Sequence, residues 1–384
     1  MQEASRGAID SLTATFEAWR SHAIGRREYT EALVSPAHRG PSPALARALA
    51  AWPGRDYWAD ADHAHLVLIR SIGTKQGERW LLHVILFAVT VICALGAGAT
   101  LAGTWTPTEP PGLVGVLIGG ARFFERLAGP GWRDLVAGWS FAVPLLGILL
   151  VHELGHYFAA RRYGIDASPP YFLPVPPNLS PIGSLGAYIR LRSPVLDRRQ
   201  LLDVGAAGPL AGFALTLLVL VWGLSISEPM EPGLHPIGSF VLLAGERIEL
   251  GDSLLMIACR KLLLPGAQTV HLSLPAFAGW VGAFVTGLNL LPLSQLDGGH
   301  VLYGLLGRRQ SAVGLITLLV LIGLAQLSWN WYVWVAVALF VGGGGWAHPS
   351  VLAPARPVPP SRRWIGWVSV VVFVLTFVPV PFGS

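Results

Sequence analysis

The sequence predicts an all-α polytopic membrane protein with about six to seven transmembrane helices. Three observations carry that expectation. The 384 residues are 53% hydrophobic and only 13% charged, about half the charge of a soluble domain. Several nearly charge-free runs approach the roughly 20 residues that cross a bilayer. Basic residues collect in alternate connections between those runs, as cytoplasmic loops do. The net charge of +5 is therefore read as membrane topology, and no nucleic-acid partner is expected. Cys93 lies in an apolar run and Cys259 in an expected loop far away, so neither a disulfide nor a thiolate metal site is expected. The opening Met1-Gln-Glu-Ala-Ser-Arg6 leads into no apolar core, and no cleavable signal peptide is expected.

Residues 1–79 are polar and mixed, and read as a small soluble N-terminal region. Ala8 to Ala23 reads as an amphipathic helix, and Pro41-Ser-Pro43 and Ala51-Trp-Pro-Gly54 break the remainder into short pieces. The candidate spans are Trp80–Leu101, Trp139–Ala160, Val204–Ile226, Ala276–Leu293, Ala312–Leu327, the short Trp331–Gly343, and Trp364–Val380. Gly112–Gly120 is apolar but too short to span, and reads as an interfacial or re-entrant piece. Trp80, Trp105, Trp139, Trp222, Trp280, Trp331, Trp346 and Trp364 lie near the proposed ends, where an aromatic belt is expected. Arg161, Arg162, Arg190, Arg192, Arg198 and Arg199 fill the connection between the second and third spans. Lys75, Arg79, Arg308, Arg309, Arg356, Arg362 and Arg363 fall on the same side if the N-terminus is cytoplasmic. That orientation is expected, with the 190–199 arginines serving topology and lipid contact.

The chemistry sits in the second span. His152-Glu153-Leu-Gly-His156 comes after an apolar run, and ionisable side chains at membrane depth are costly unless they have a partner or a task. His152 and His156 are four residues apart, so on a helix both imidazoles leave one face. This is the zinc-pair spacing of metallopeptidases, with Glu153 placed as general base. His156 precedes Arg161 by five residues, about 7 Å at the helical rise, which puts the cluster near the cytoplasmic boundary. A third ligand is needed at that depth. Asp297, in Leu296-Asp-Gly-Gly-His300 at the end of the fourth span, arrives there. Two imidazoles and one carboxylate, with an open fourth position, form a catalytic zinc set. Pro292, Gly298 and Gly299 are expected to loosen the helix, which is tolerated where backbone lines a cavity. Gly205, Gly208 and Gly212 read as small residues that let helices approach closely. His300 and His348 read as boundary or loop residues, with His300 near enough to tune the site.

His152-Glu-Leu-Gly-His156 together with Asn289-Leu-Leu-Pro-Leu-Ser-Gln-Leu-Asp297-Gly298 resembles the paired signature of the site-2 proteases, intramembrane zinc metalloproteases of the peptidase M50 type. Gly205-Ala-Ala-Gly-Pro-Leu-Ala-Gly212 resembles the small-residue motif of their third core helix. Pro170–Pro174 and Gly183–Arg190 resemble the EGY-type subgroup. The resemblance covers about residues 137–310. It implies one Zn²⁺ per chain on His152, His156 and Asp297, Glu153 as the base, and Asn289 as a group that stabilises the oxyanion or substrate. It implies a re-entrant strand within 169–193, with Gly183, Ser184, Leu185, Gly186 and Ala187 positioning an unwound substrate by β-augmentation. The substrates it implies are transmembrane proteins within the lipid bilayer, in a bacterial or archaeal cell membrane.

The implied organisation is a cytoplasmic region over 1–79, a first transmembrane helix and outer loop over 80–136, the metalloprotease core over 137–310 and C-terminal helices over 311–384. Two departures stand out. The connection Ser227–Pro275 is too short for the PDZ domain that many relatives carry, and position 300 is His where many have Arg. The rival readings are a zinc-binding scaffold, a transporter or a membrane prenyl-protein endopeptidase. A transporter predicts matching polar positions in two halves of the chain, and none is found. An inactive scaffold predicts a missing ligand or base, and all four residues are present.

Overall fold

In a polar segment, strand pairing competes with helix formation, and in the N-terminal region it prevails. In the computed structural model, residues 12–24, 27–72, 77–105, 113–129, 131–230, 238–341, 343–351 and 356–383 are described. Phe16–Ile24 (β1) and Arg27–Val34 (β2) form an antiparallel hairpin. Helix α1, Pro43–Ala50, comes next, with the Ser42 hydroxyl capping the Leu45 amide. Arg55–Trp58 (β3) and His65–Ser71 (β4) complete a sheet of order β1-β2-β4-β3. The amphipathic helix expected over Ala8–Ala23 is thus replaced by β1, and residues 8–11 lie outside the described residues. The spacing of Phe16 and Trp19 suits a helix, but it also suits a strand with one exposed aromatic, and Trp19 is half-exposed. One sheet face packs with α1 around Leu12, Val34, Leu45, Trp52, Leu66 and Leu68. The other face, through Tyr29, Tyr57, Val67 and Ile69, packs on Leu196 of the membrane core.

The membrane part begins with α2 (Trp80–Leu101), α3 (Leu113–Ala128) and α4 (Trp132–Leu135), which runs through a 3-10 turn into α5 (Trp139–Arg162). A hairpin of β5 (Tyr171–Pro174) and β6 (Ser184–Tyr188) leads to α6 (Arg198–Ser225). Then come β7 (Glu228–Met230), β8 (Gly238–Leu243), β9 (Glu246–Leu250), α7 (Leu254–Leu263) and β10 (Thr269–His271). Helices α8 (Leu274–Asn289), α9 (Asp297–Leu306), α10 (Gln310–Leu324), α11 (Asn330–Val341) and α12 (Pro360–Thr376) close the chain. Among the described residues, four stretches are long and apolar enough to cross a bilayer: Trp80–Leu101, Trp132–Arg162, Arg198–Ser225 and Asp297–Leu324. The protein is therefore a mostly helical, multi-pass membrane protein. Of the other expected spans, α8 has only 16 residues and is enclosed by protein nearly along its length. Helices α11 and α12 are also short, at 12 and 17 residues.

Among the described residues three small sheets accompany the helices; the β5–β6 hairpin is the strand-like element expected within 169–193, and the other two correct the all-α expectation. The third, unexpected one fills the Ser227–Pro275 connection in the order β7-β10-β8-β9. It is tied by a buried Arg260–Asp252 pair at 2.5 Å. Cys259 belongs to α7 rather than a loop, and both cysteines are buried and free. Gly112 lies outside the described residues, and the stretch that follows is one helix over Leu113–Ala128. The aromatic belt is only partial. Trp80, Trp139 and Trp364 are exposed, but Trp105, Trp280 and Trp331 are buried. A buried indole N–H needs an acceptor. Trp280 Nε1 donates to the Gly251 carbonyl at 2.8 Å, and Trp331 Nε1 to the Pro379 carbonyl at 2.7 Å.

The core lies where α5, α6 and α8 cross. Phe141, Leu145 and Ile148 of α5 meet Leu220 and Leu224 of α6 and Ala276, Phe277 and Val281 of α8. The rings of Phe141, Phe277, Trp280 and Phe284 stack in series with centroids 5.4–6.0 Å apart. This apolar floor fixes α5, which carries His152, Glu153 and His156, and α8, which ends at Asn289.

Candidate metal centre

His152, Glu153 and His156 leave one side of α5 into the protein interior, each less than 10% exposed. The close approach of α6 makes this arrangement possible. A Cβ on Gly208 would lie 2.1 Å from His156 Nε2, and one on Gly212 would lie 3.1 Å from His152 Cβ. From the α5 side, a Cβ on Gly155 would meet the Ala207 carbonyl at 2.5 Å. The spacing of small residues on α6 therefore does more than pack helices, because it clears the space the imidazoles occupy.

The third ligand comes from an unexpected direction. After α8 the chain leaves helical geometry over 290–296, with Ser294 at φ +41°. Asp297 is then the first residue of α9, so it starts a helix rather than ending the fourth span. Helix resumption is natural there, since an acidic residue in the first turn complements the helix dipole. His152 Nε2 and His156 Nε2 are 3.1 Å apart, and Asp297 Oδ2 is 3.3 and 3.2 Å from them. At metal–ligand distances of about 2.1 Å, tetrahedral zinc ligands are separated by about 3.4 Å. The three atoms thus span one face of such a tetrahedron.

Tautomer logic agrees. The Val204 carbonyl accepts from His156 Nδ1–H at 2.8 Å, which leaves Nε2 with a lone pair directed at its neighbours. This is the orientation by an outer partner that ligating histidines have. Lone pairs on two rings and a carboxylate oxygen that face one point repel unless a cation lies between them. The donor set fits zinc. Glu153 Oε1 lies 4.0 Å from His152 Nε2, beside that point rather than among the ligands, and the Ile189 backbone amide faces its carboxylate. Asn289, the last residue of α8, places Nδ2 3.4 Å from His152 Nε2.

Residues 140–327 match the family model described as Peptidase family M50. Over this stretch the chain is similar to peptidase family M50. The chain is 32% identical over 258 residues to "Probable zinc metalloprotease EGY1, chloroplastic" of Arabidopsis thaliana, covering 64% of this chain and 43% of that protein. It is 31% identical over 257 residues to "Probable zinc metalloprotease EGY2, chloroplastic" of Oryza sativa subsp. indica, covering 65% of this chain and 44% of that protein. "Probable zinc metallopeptidase EGY3, chloroplastic" of Arabidopsis thaliana matches at 30% over 226 residues, covering 53% and 37%. The chain spans less than half the length of these relatives. No solved structure matches it.

The structure brings together His152, Glu153, His156, Asn289 and Asp297. Ser184–Ala187 lie in strand β6 of the β5–β6 hairpin, and Gly183, just before it, packs against Cys93 of α2. Ser184 is buried and bonded within the hairpin, while Leu185 points outward. Strand β6 covers Ser184–Tyr188, and the chain beyond it continues the ladder only through the Ala167–Leu191 bridge. The hairpin's polar contact with the centre comes from Ile189, two residues past the expected segment. Val204 and Ile189 act through backbone groups, which no sequence pattern marks. His300 and His348, expected to be separate boundary or loop residues, form a pair with His300 Nδ1 2.7 Å from His348 Nε2. They lie 48 residues apart, and no spacing rule joins them.

Proposed function

We propose that this chain is an intramembrane zinc metalloendopeptidase, hydrolysing peptide bonds in or near the transmembrane segments of membrane proteins. One observation carries the reading: two Nε2 atoms and one carboxylate oxygen converge at 3.1–3.3 Å beside a glutamate, inside apolar helices. His152, His156 and Asp297 would hold one Zn²⁺. A bound zinc ion supplies Lewis acidity that polarises a carbonyl and acidifies water. Glu153 accepts the water proton at its carboxylate and returns it to the leaving amide nitrogen. Asn289 offers its Nδ2–H to the oxygen that becomes anionic. Val204 holds the His156 tautomer throughout.

A membrane helix hides its peptide bonds in its own ladder, so a substrate must unwind before it is cut. Gly183, Ser184, Leu185, Gly186 and Ala187 supply a strand beside Glu153 with which an extended segment pairs. The arginine distribution supports a cytoplasmic N-terminus over residues 1–79 and a centre near the cytoplasmic face of a bacterial or archaeal membrane. Reporter fusions in the 163–197 connection and after Ile226 should then report opposite sides, and the same side would refute the orientation.

The test uses full-length protein in detergent and a single-span substrate. Glu153→Gln should keep about one zinc per chain and lose cleavage by about 10²-fold or more. Asp297→Ala should lose both. Unchanged cleavage by Glu153→Gln would refute the base, and zinc retention by Asp297→Ala would refute the ligand set.

A further inference from the structure

Asp297 stands at the end of an irregular stretch, and a metal ligand on irregular backbone needs fixing from outside. The fixing comes from a part of the chain beyond the M50 match, which ends at residue 327. In the connection between α11 and α12, the Trp346 carbonyl accepts from the Ser294 amide at 2.9 Å. Gln310, fully buried at the start of α10, holds both segments at once. Its Nε2 donates to the Pro292 carbonyl at 3.0 Å, and its Oε1 accepts from the His348 amide at 2.9 Å. The His348 ring stacks on Tyr303 of α9 with centroids 4.6 Å apart.

The direction of the His300–His348 bond is set by its surroundings. A carbonyl only accepts, so His348 Nδ1–H donates to the Pro349 carbonyl. Neutral His348 then offers a lone pair at Nε2, and His300 Nδ1–H donates to it at 2.7 Å. His300 lies about one turn after Asp297 on the same helix. Its Cβ sits 2.7 Å from where a Cβ on Gly205 would be, and the Asp297 carbonyl is 3.5 Å from that same point. Helix α9 is therefore wedged between the glycine face of α6 and the His348 connection.

We infer that the 346–348 connection braces the metal centre, with His348, Gln310 and His300 as positioning residues that hold Asp297 against His152 and His156. This rests on the metal centre proposed above. The brace fixes the carboxylate in place before a metal arrives, so its loss acts on the ligand geometry first and on substrate binding little. Replacing outer partners of ligands costs about 10–100-fold in metal affinity or activity.

The experiment uses the full chain loaded with Zn²⁺ or Co²⁺ in detergent micelles. It reads zinc release to a chelator, the cobalt ligand-field spectrum, and kcat and KM separately. His348→Ala and Gln310→Ala should release zinc about tenfold faster or more, shift the cobalt bands and lower kcat with KM nearly unchanged. His348→Gln, which keeps an acceptor near the Nε2 position, should recover most of each. If His348→Ala does not fold, Gln310→Ala carries the test, because it leaves both histidines in place. Unaltered zinc release and cobalt bands in folded His348→Ala or Gln310→Ala would overturn the brace while leaving the metal centre standing. A wild-type chain that binds no zinc would overturn both.

Discussion

The N-terminal sheet and the metal centre handle charge in opposite ways. In the sheet, ionic groups pair at the rim. Arg20 meets Glu31 at 2.5 Å across β1 and β2, and the Arg20 side chain is 77% exposed. Such pairs contribute about 0.2–1 kcal/mol and are screened by salt. In the centre, His152, Glu153, His156 and Asp297 converge in protein interior inside apolar helices. Buried charge without compensation costs several kcal/mol, and a divalent cation on the proposed ligands would supply the compensation. The backbone differs as well. In the sheet the tight glycine contact is of backbone with backbone, Gly54 against the Ile69 carbonyl, whereas α5 and α6 approach so closely that glycine is required beside the imidazoles. The comparison teaches that close approach serves different ends: at Gly54, before β3, it lets the backbone pass the Ile69 carbonyl, whereas at Gly208 and Gly212 it makes room for imidazole rings.

The steepest test of that difference is a single methyl group. Gly208→Ala puts a Cβ within 2.1 Å of His156 Nε2, a ring already fixed by the Val204 carbonyl. Zinc affinity should fall at least about tenfold, within the range seen when ligand geometry is disturbed. Gly212→Ala approaches His152 Cβ at 3.1 Å, and a shift of a few tenths of an ångström relieves it, so its effect should be smaller. Zinc titration of both variants decides the matter. Equal affinities for Gly208→Ala and wild type would break the claim that the glycines shape the site. In the N-terminal region, Gly40→Ala, in the bend before α1, meets nothing within 4 Å and should leave zinc binding unchanged.

An intermediate effect is expected where the two styles meet, at the base of the β5–β6 hairpin. Glu78, just before α2, accepts from both Arg192 guanidinium nitrogens at 2.8 Å and lies 3.2 Å from His83 Nε2. His83 Nδ1 is 3.0 Å from the Pro170 carbonyl, which fastens the hairpin to α2. The Arg192 hydrogen bonds, opposed by burial and aided by His83, hold the Glu78 carboxyl down at about 2. A depressed carboxyl stabilises the fold above its unfolded value of 4.5, and this is lost as pH falls from there towards 2. Glu78→Gln should weaken the anchor at pH 7 by about 2 kcal/mol and remove that acid-dependent step. Amide exchange of residues 163–192, compared between the two proteins from pH 7 to pH 3, checks it. Parallel pH profiles would show that the pair does not hold the hairpin.

The unequal legibility of the two regions has the same physical origin. His152, Glu153, His156 and Asp297 were readable because ionisable side chains in apolar runs need a purpose, and helical spacing fixes their direction. The glycine motif was readable because small residues at that spacing mark close approach. The N-terminal sheet was not, since Phe16, Trp19 and Ile24 fit either period and the strand is decided by pairing with β2. The sheet at 228–271 was missed for a similar reason, because β7 and β10 contribute three residues each. The start of α9 at Asp297 depends on how 290–296 turns, and the His300–His348 pair depends on a long return of the chain. Backbone partners such as the Val204 carbonyl, which accepts from His156, carry no sequence signal.

The smallest expected effect lies at the junction of the two regions. Asp197 caps α6, its Oδ1 accepting from the Gln200 amide at 2.7 Å. Its Oδ2 accepts from the Tyr57 hydroxyl of β3. Burial, and then Asp197, raise the Tyr57 phenol well above its ordinary range, so it stays a donor at any physiological pH. Arg356, before α12, stacks over the Tyr57 ring at 5.1 Å and donates to the Trp58 carbonyl at 3.2 Å. The sheet therefore grips the helix whose glycines shape the centre, but through a cap that keeps its own bond to Gln200 when the tyrosine is lost. Tyr57→Phe should cost about 1 kcal/mol in docking of the N-terminal sheet, read as faster amide exchange at residues 55–58. Zinc affinity and kcat should stay within about twofold of wild type, because the α6 N-cap survives. A tenfold loss of zinc in Tyr57→Phe would show that the two regions are energetically one unit, and the contrast between them would then be one of construction only.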